Sequence, residues 1–305
     1  MFSTLLGPLP SDHGDPLEAG AAFGAADALD AVAALEAAGL DLVTDGGPPA
    51  RPSDDPASVV TRWQNAAAAS GVAVKQTIAG PWSASRSGFA GSPAEAAERL
   101  AAIVVALAAA GCPIVEVVED DAAVIATDRT AAATFVDAHG RLLADVSGVH
   151  MSLALTVANV DRAGPETFFD LPYASYAFDL IAGPDNWRLI VEAPADRGII
   201  CAGIGLGEKD EATREVLVWA AHYAASTKGR GLARVGLANA PLAVGASSAP
   251  SRAAMLGRLA IVAEAARIAS VESADELASM LDPRAVDPRS AALGRYAPDR
   301  RRGRP

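Results

Sequence analysis

Cysteine is nearly absent from this chain: Cys112 and Cys201 are the two thiols in 305 residues. Two thiols so far apart, each within an apolar run, make no disulfide framework, so a reducing, cytoplasmic setting is expected. Long apolar runs are missing too. The longest, over 100–111, is rich in alanine and falls short of the roughly 20 residues a membrane-spanning helix needs. The opening residues, Met1 to Pro8, lack the basic start of a signal peptide. Lys and Arg number 25 against 37 Asp and Glu, for a net charge of −12. That excludes a general nucleic-acid surface, which needs clustered cations to displace counterions. The exception, Arg300, Arg301, Arg302 and Arg304, reads as a solvated tail. No Gly-x-Gly-x-x-Gly follows the first strand, so a dinucleotide-binding fold loses its main support.

What is present is a large apolar fraction, 51% against 20% charged, enough for a sizeable core. Short β-branched runs alternate with longer Ala/Leu-rich amphipathic runs. The strands are expected at 2–9, 40–45, 72–80, 113–120, 149–156, 173–180, 198–205 and 234–239. Helices are expected at 27–38, 57–70, 93–110, 129–146, 165–171, 184–191, 210–226 and 252–269. Ser92 before Pro93, Asp128, Gly183-Pro184-Asp185 and Ser251 look like helix starts. Gly39, Gly71, Gly111 and Gly229 look like helix ends. Eight such repeats in about 270 residues predict a single-domain (β/α)₈ TIM barrel of the α/β class over 1–270. A short helix at 274–281 and an Arg/Pro-rich tail would make up a C-terminal extension, 271–305. The Gly203–Gly207 run after the seventh strand is a weak phosphate signal and more simply a tight turn.

In such a barrel, polar residues at the C-terminal strand ends face the reaction chamber. Candidates after the first strand are Ser11, Asp12 and His13. After the second comes Asp45, and the third carries Lys75 and ends before Trp82, a possible ligand wall. The fourth holds Glu116, Glu119, Asp120 and Asp121. His150 and Ser152 share one face of the fifth. Asp179 lies on the sixth, Glu208 after the seventh, and Asn239 ends the eighth. The expected catalytic set is His150, Asp179, Glu116 and Glu119, with His150 and Asp179 projecting from adjacent strands into one cavity. Ser152, Asp45, Trp82, Asn239 and Lys75 are expected to bind substrate. Lys75 is also a candidate ion-pair partner for Glu116. His222 reads as a residue of an outer helix.

The order of these segments resembles the C-terminal catalytic barrel of cobalamin-independent methionine synthase, in the superfamily that also holds uroporphyrinogen decarboxylase. Leu5-Leu6-Gly7-Pro8-Leu9-Pro10 is similar to that family's opening. Gly39-Leu40-Asp41-Leu42-Val43-Thr44-Asp45-Gly46 is similar to its second strand, and Lys75 through Ala79-Gly80-Pro81 to its third. Gly111 through Glu119 and Val149-His150-Met151 resemble the two segments that follow. The resemblance implies methyl transfer to a thiol, with folate as donor and a zinc ion held by His, Cys, Glu and Cys. Carried across, His150 keeps the histidine and Asp179 stands for the glutamate. Ser152 and Ala240 fall where the cysteines belong, so both soft ligands are gone. The residues themselves imply no cofactor and no metal; His150 and Asp179 would be the ligands if any metal bound.

Three readings follow. The first is a diverged methyl- or alkyl-transferring enzyme with a degraded zinc site, acting on a small molecule, by resemblance a thiol or folate. The second is a metal-free lyase or decarboxylase holding an acidic substrate through arginines, with Arg51 and Arg86 as candidates. The third is a non-catalytic barrel that binds a ligand. No nucleic-acid or membrane partner is expected.

Overall fold

The structure is a computed structural model that describes residues 1–9, 25–205, 213–241 and 251–281. Its strands are β1 (Phe2–Thr4), β2 (Leu42–Val43), β3 (Ala73–Val74), β4 (Gln76–Ala79), β5 (Ile114–Glu119), β6 (His150–Leu155), β7 (Ser175–Asp179), β8 (Gly198–Ile204) and β9 (Val235–Asn239). Around them lie α1 (Ala25–Ala37), α2 (Pro56–Ala69), α3 (Pro81–Arg86), α4 (Pro93–Ala109) and α5 (Arg129–Leu143). Then come α6 (Glu166–Phe169), α7 (Trp187–Glu192), α8 (Arg214–Ser226), α9 (Arg252–Ala269) and α10 (Ala274–Met280).

The helices begin where side chains satisfy their first free N–H groups. Asp55 accepts from Ser58, Ser92 from Glu95, Asp128 from Thr130 and Ala131, and Ser251 from Ala254. Pro56 and Pro93 follow two of these caps, where a missing N–H costs nothing. Gly183-Pro184-Asp185 instead starts a short 3₁₀ turn, Pro184–Asn186, without a side-chain cap. Gly203, the first glycine of the Gly203–Gly207 run, lies inside β8 and has a packing use, since a Cβ there would stand 3.1 Å from Leu217 of α8. Gly207, Ser11, Asp12, His13, Glu208 and the arginine tail lie outside the described residues. No described helix is long and apolar enough to cross a membrane.

All strand pairs are parallel, in the order β3-β2-β1-β9-β8-β7-β6-β5-β4. The two outer members, β3 and β4, are halves of one expected strand, parted at Lys75. The lower half pairs with β2 and the upper half with β5, so one strand changes partners and closes the sheet. Paired residues run from Ala73 through Leu42, Thr4, Ala238 and Ala202 to Asp179. Continuing the next registers by one or two residues leads to Thr156, Asp120 and Pro81. The path returns to its starting strand eight residues further along, the stagger of an eight-stranded barrel.

That stagger sorts the inward side chains into layers drawn from alternate strands. Thr4, Lys75, Ser152 and Ile200 make a middle layer. Thr44, Glu116, Ala177 and Ala238 lie above it, then Leu6, Thr77, Ala154 and Ala202, with Val118 and Asp179 towards the mouth. The alanines, Ile200 and Leu6 pack on one another as a small inner core. The outward faces of the strands and the inner faces of the helices form a second, much larger one.

Candidate active site

His150 is the first residue of β6, paired with Ile114 at the start of β5. Its ring meets Ser175 at 2.8 Å (Nε2 to Oγ), and Ser175 Oγ donates to Ser152 Oγ at 2.9 Å. Partial burial of the ring lowers its pKa. Asp179 is the last residue of β7, level with Thr156 on β6. Six residues separate Thr156 from His150, about 20 Å along a strand. The structure therefore puts His150 at the N-terminal end of the barrel and Asp179 at the C-terminal end. The expected shared cavity is not formed: both residues stand at inward-facing positions, but at different depths. The position of His150 at the start of its strand was readable from the sequence.

The C-terminal mouth carries a different row. Asp120 and Thr156, one residue past the ends of β5 and β6, stand level with Asp179 when the registers are continued. Asp179 is fully buried. Its Oδ1 accepts from the N–H groups of Ile181 and Ala182, both at 2.9 Å, and its Oδ2 from Val157 at 3.0 Å. Burial raises its pKa despite those three donors. Asp120 lies exposed at the rim; partial burial of its carboxyl, with Glu119 and Asp121 beside it, raises its pKa as well. Val157 has φ 66°, a strained backbone for a β-branched residue, and such strain gathers at working sites. Asn186 ties the loops after β6 and β7 together, donating to Ala158 at 2.8 Å and to the Asp179 carbonyl at 3.0 Å.

Glu119 turns the other way, into the helix layer. Its carboxylate accepts from Trp82 N–H at 3.0 Å, from Ser83 N–H at 2.7 Å and from Ser83 Oγ at 2.5 Å. His139 of α5 meets it at 2.9 Å, and Tyr173 lies 2.6 Å from the other ring nitrogen. Burial, with the Glu119 charge, holds the Tyr173 hydroxyl well above its ordinary pKa. Glu119 thus caps α3, a short helix outside the set expected from the sequence. Sequence reasoning missed His139; its place four residues after Phe135 on the apolar side of a helix was the available signal.

The other expected residues are held by protein partners. Glu116 Oε2 pairs with Lys75 at 2.7 Å inside the lumen, and burial lowers the lysine's pKa against the pull of Glu116. Asp45 is paired with Arg62 at 2.5 Å. Asn239 accepts from Leu6 N–H at 3.0 Å and donates to the Leu6 carbonyl at 2.8 Å. Trp82 is packed, its indole donating to the Asp121 carbonyl at 2.8 Å. Arg86 pairs with Asp121, and Arg51 lies 4.3 Å from the centre of the Phe89 ring. His222 sits on α8, and desolvation lowers its pKa.

The donor set does not fit the zinc that the resemblance implies. His150 and Asp179 are at opposite ends, and the residue level with Asp179 just past β6 is Thr156. Burial pushes the Cys112 thiol up to about 11 and that of Cys201 up to about 12, away from the thiolate a metal needs. Among the described residues no three His, Cys, Asp or Glu side chains gather to hold a metal.

No protein-family model matches the chain, and no curated protein does. Solved structures do. A B12-independent methionine synthase from Shewanella, in complex with selenomethionine, superposes with a TM-score of 0.66 at 13% identity, over 87% of this chain and 97% of that one. A Listeria monocytogenes protein assigned to the vitamin-B12-independent methionine synthases gives 0.60 at 13% identity, over 81% and 87%. At that identity the likeness is one of fold alone, a closed parallel α/β barrel.

Proposed function

We propose that the chain is a group-transfer enzyme working at the C-terminal mouth of this barrel through Asp179 and Asp120, without a thiolate-activating zinc. The observation that carries the reading is the level row Asp120–Thr156–Asp179, whose two carboxyl groups both titrate above their ordinary range. A carboxyl group raised in this way holds a proton closer to neutrality and can give it to a leaving atom. Its ionised partner can take the proton of an attacking nucleophile. In a methyl or alkyl transfer the acceptor's lone pair forms the new bond to carbon while the donor's bond to that carbon breaks. The acceptor's proton passes to one carboxylate, and the donor's leaving atom takes a proton from the other carboxyl. The acceptor is a small molecule; the family likeness suggests a thiol, with folate as donor.

The lyase reading loses its support, because Arg86 and Arg51 are engaged at the rim with Asp121 and Phe89. The test is methyl transfer from methyltetrahydrofolate to homocysteine by purified protein, with metal content measured on the same sample. Asp179→Asn and Asp120→Asn are each expected to lower kcat by roughly 10²–10⁴, with less than stoichiometric zinc throughout. Stoichiometric zinc, or unchanged turnover in both variants, would reject this mechanism. Wild-type protein inert with every donor would leave the non-catalytic barrel.

A further inference from the structure

One buried cluster takes no part in the chemistry at the mouth and yet reaches it. Tyr173, His139, Glu119 and Ser83, all buried, form a chain of hydrogen bonds in the helix layer behind the strand ends. A carboxylate only accepts, so His139 Nε2 carries the ring hydrogen and donates to Glu119 Oε1 at 2.9 Å. That leaves Nδ1 to accept from the Tyr173 hydroxyl at 2.6 Å. From this side the donors run towards Glu119. Ser83 meets it from the other side. A serine hydroxyl has one hydrogen to give. The Asp120 carboxyl group is near enough for Ser83 to pull its pKa down against burial, so two carboxyl groups compete for that hydrogen. The contact of 2.5 Å gives it to Glu119 Oε2. The lone pairs of the same oxygen accept the N–H groups of Asp120 at 3.0 Å and Asp121 at 3.1 Å. Ser83 therefore grips the backbone of Asp120 and gives its hydrogen elsewhere. The charged neighbours of the Asp120 carboxyl group are Glu119 itself and Asp121, which pairs with Arg86.

We infer that Glu119, held by His139, is a positioning residue for the mouth: it draws the Ser83 hydroxyl into the helix layer, so that Ser83 fixes the Asp120 backbone and leaves the Asp120 carboxyl group free to exchange a proton with substrate. This rests on Asp120 being a working group of the mouth.

The experiment is a pH titration of the Asp120 carboxyl carbon by NMR, in full-length protein carrying ¹³C-labelled aspartate, with Asp120→Asn assigning the signal. Ser83→Ala removes the contested hydroxyl and is expected to leave the midpoint close to its wild-type value. Glu119→Gln is expected to lower the midpoint by about one pH unit, because a negative neighbour is gone and the hydroxyl is released to Asp120. Adding Ser83→Ala to Glu119→Gln should return part of that fall, which separates the hydroxyl from the charge. Three results overturn the inference: Ser83→Ala raising the midpoint by about one pH unit, as loss of a donor to Asp120 would, Glu119→Gln leaving it in place, or equal midpoints in the single and double Glu119 variants. The first needs no change at Glu119, so it decides even where Glu119→Gln does not fold. The titration is read without turnover. Its failure leaves the proposed roles of Asp179 and Asp120 standing, and a protein inert in methyl transfer leaves the titration readable.

Discussion

Surroundings decide what a carboxylate does, and three acidic residues on or just past β5, with a fourth at the end of β7, show the range. Glu116 is paired with a lysine in the lumen, Glu119 caps a helix, Asp120 is open at the rim, and Asp179 gathers three loop N–H groups. Glu119 is the one whose loss should harm stability most. Removing it strands two backbone N–H groups, the Ser83 hydroxyl and a buried imidazole. Glu119→Ala is expected to lower unfolding free energy by about 3 kcal/mol or more in urea titrations. His150 offers a pH test. Its folded pKa lies below its ordinary value, so the folded state binds fewer protons than the unfolded chain. Its contribution is present above the unfolded value of about 6.5 and is lost as pH falls through the folded pKa. His150→Gln should flatten part of the stability loss between pH 7.5 and 5; His222, its pKa also lowered by desolvation, acts in the same direction. Equal pH slopes in the two proteins would contradict this.

At the scale of elements, two turns at the mouth are set by single residues. Gly80 lets the Glu119 carboxylate reach the start of α3, since a Cβ there would stand 2.1 Å from Glu119 Cδ. Gly80→Ala is therefore expected to destabilise by at least about 2 kcal/mol, because the carboxylate must give up its N–H donors. Val157 is the opposite case. Glycine relieves its strained φ, worth about 1–3 kcal/mol, against a backbone-entropy cost nearer 0.4–1. Val157→Gly should raise stability by about 1 kcal/mol in the same titration, while turnover falls if that strain holds Thr156 and Asp179 in place. Strand and helix identities were legible because β-branched runs and capped amphipathic runs carry different periods. Helix α3 was not, because its six residues are too few to show a period and its cap comes from Glu119, a residue of β5 that is distant in sequence. The mouth row was half legible: Asp179 and Asp120 could be placed at strand ends, but their level with Thr156 depends on register.

The whole barrel is closed at one place by a buried ion pair. Strand three breaks at Lys75 to change partners, and the Lys75 side chain crosses to Glu116 on the strand that the upper half then joins. Closure was predictable from eight repeats; the stagger of eight and the layer contents needed paired residues. Branched aliphatics normally fill such a layer, so the pair is not the most stabilising choice available. Breaking it by Lys75→Met alone leaves a buried carboxylate uncompensated and should cost about 3–5 kcal/mol. Replacing both, Lys75→Met with Glu116→Leu, should be neutral or stabilising by about 1–4 kcal/mol, as removal of a buried pair often is. Chemical denaturation of the two single variants and the double variant measures the coupling directly. If the double variant were as unstable as Lys75→Met, the pair would be holding the closure itself.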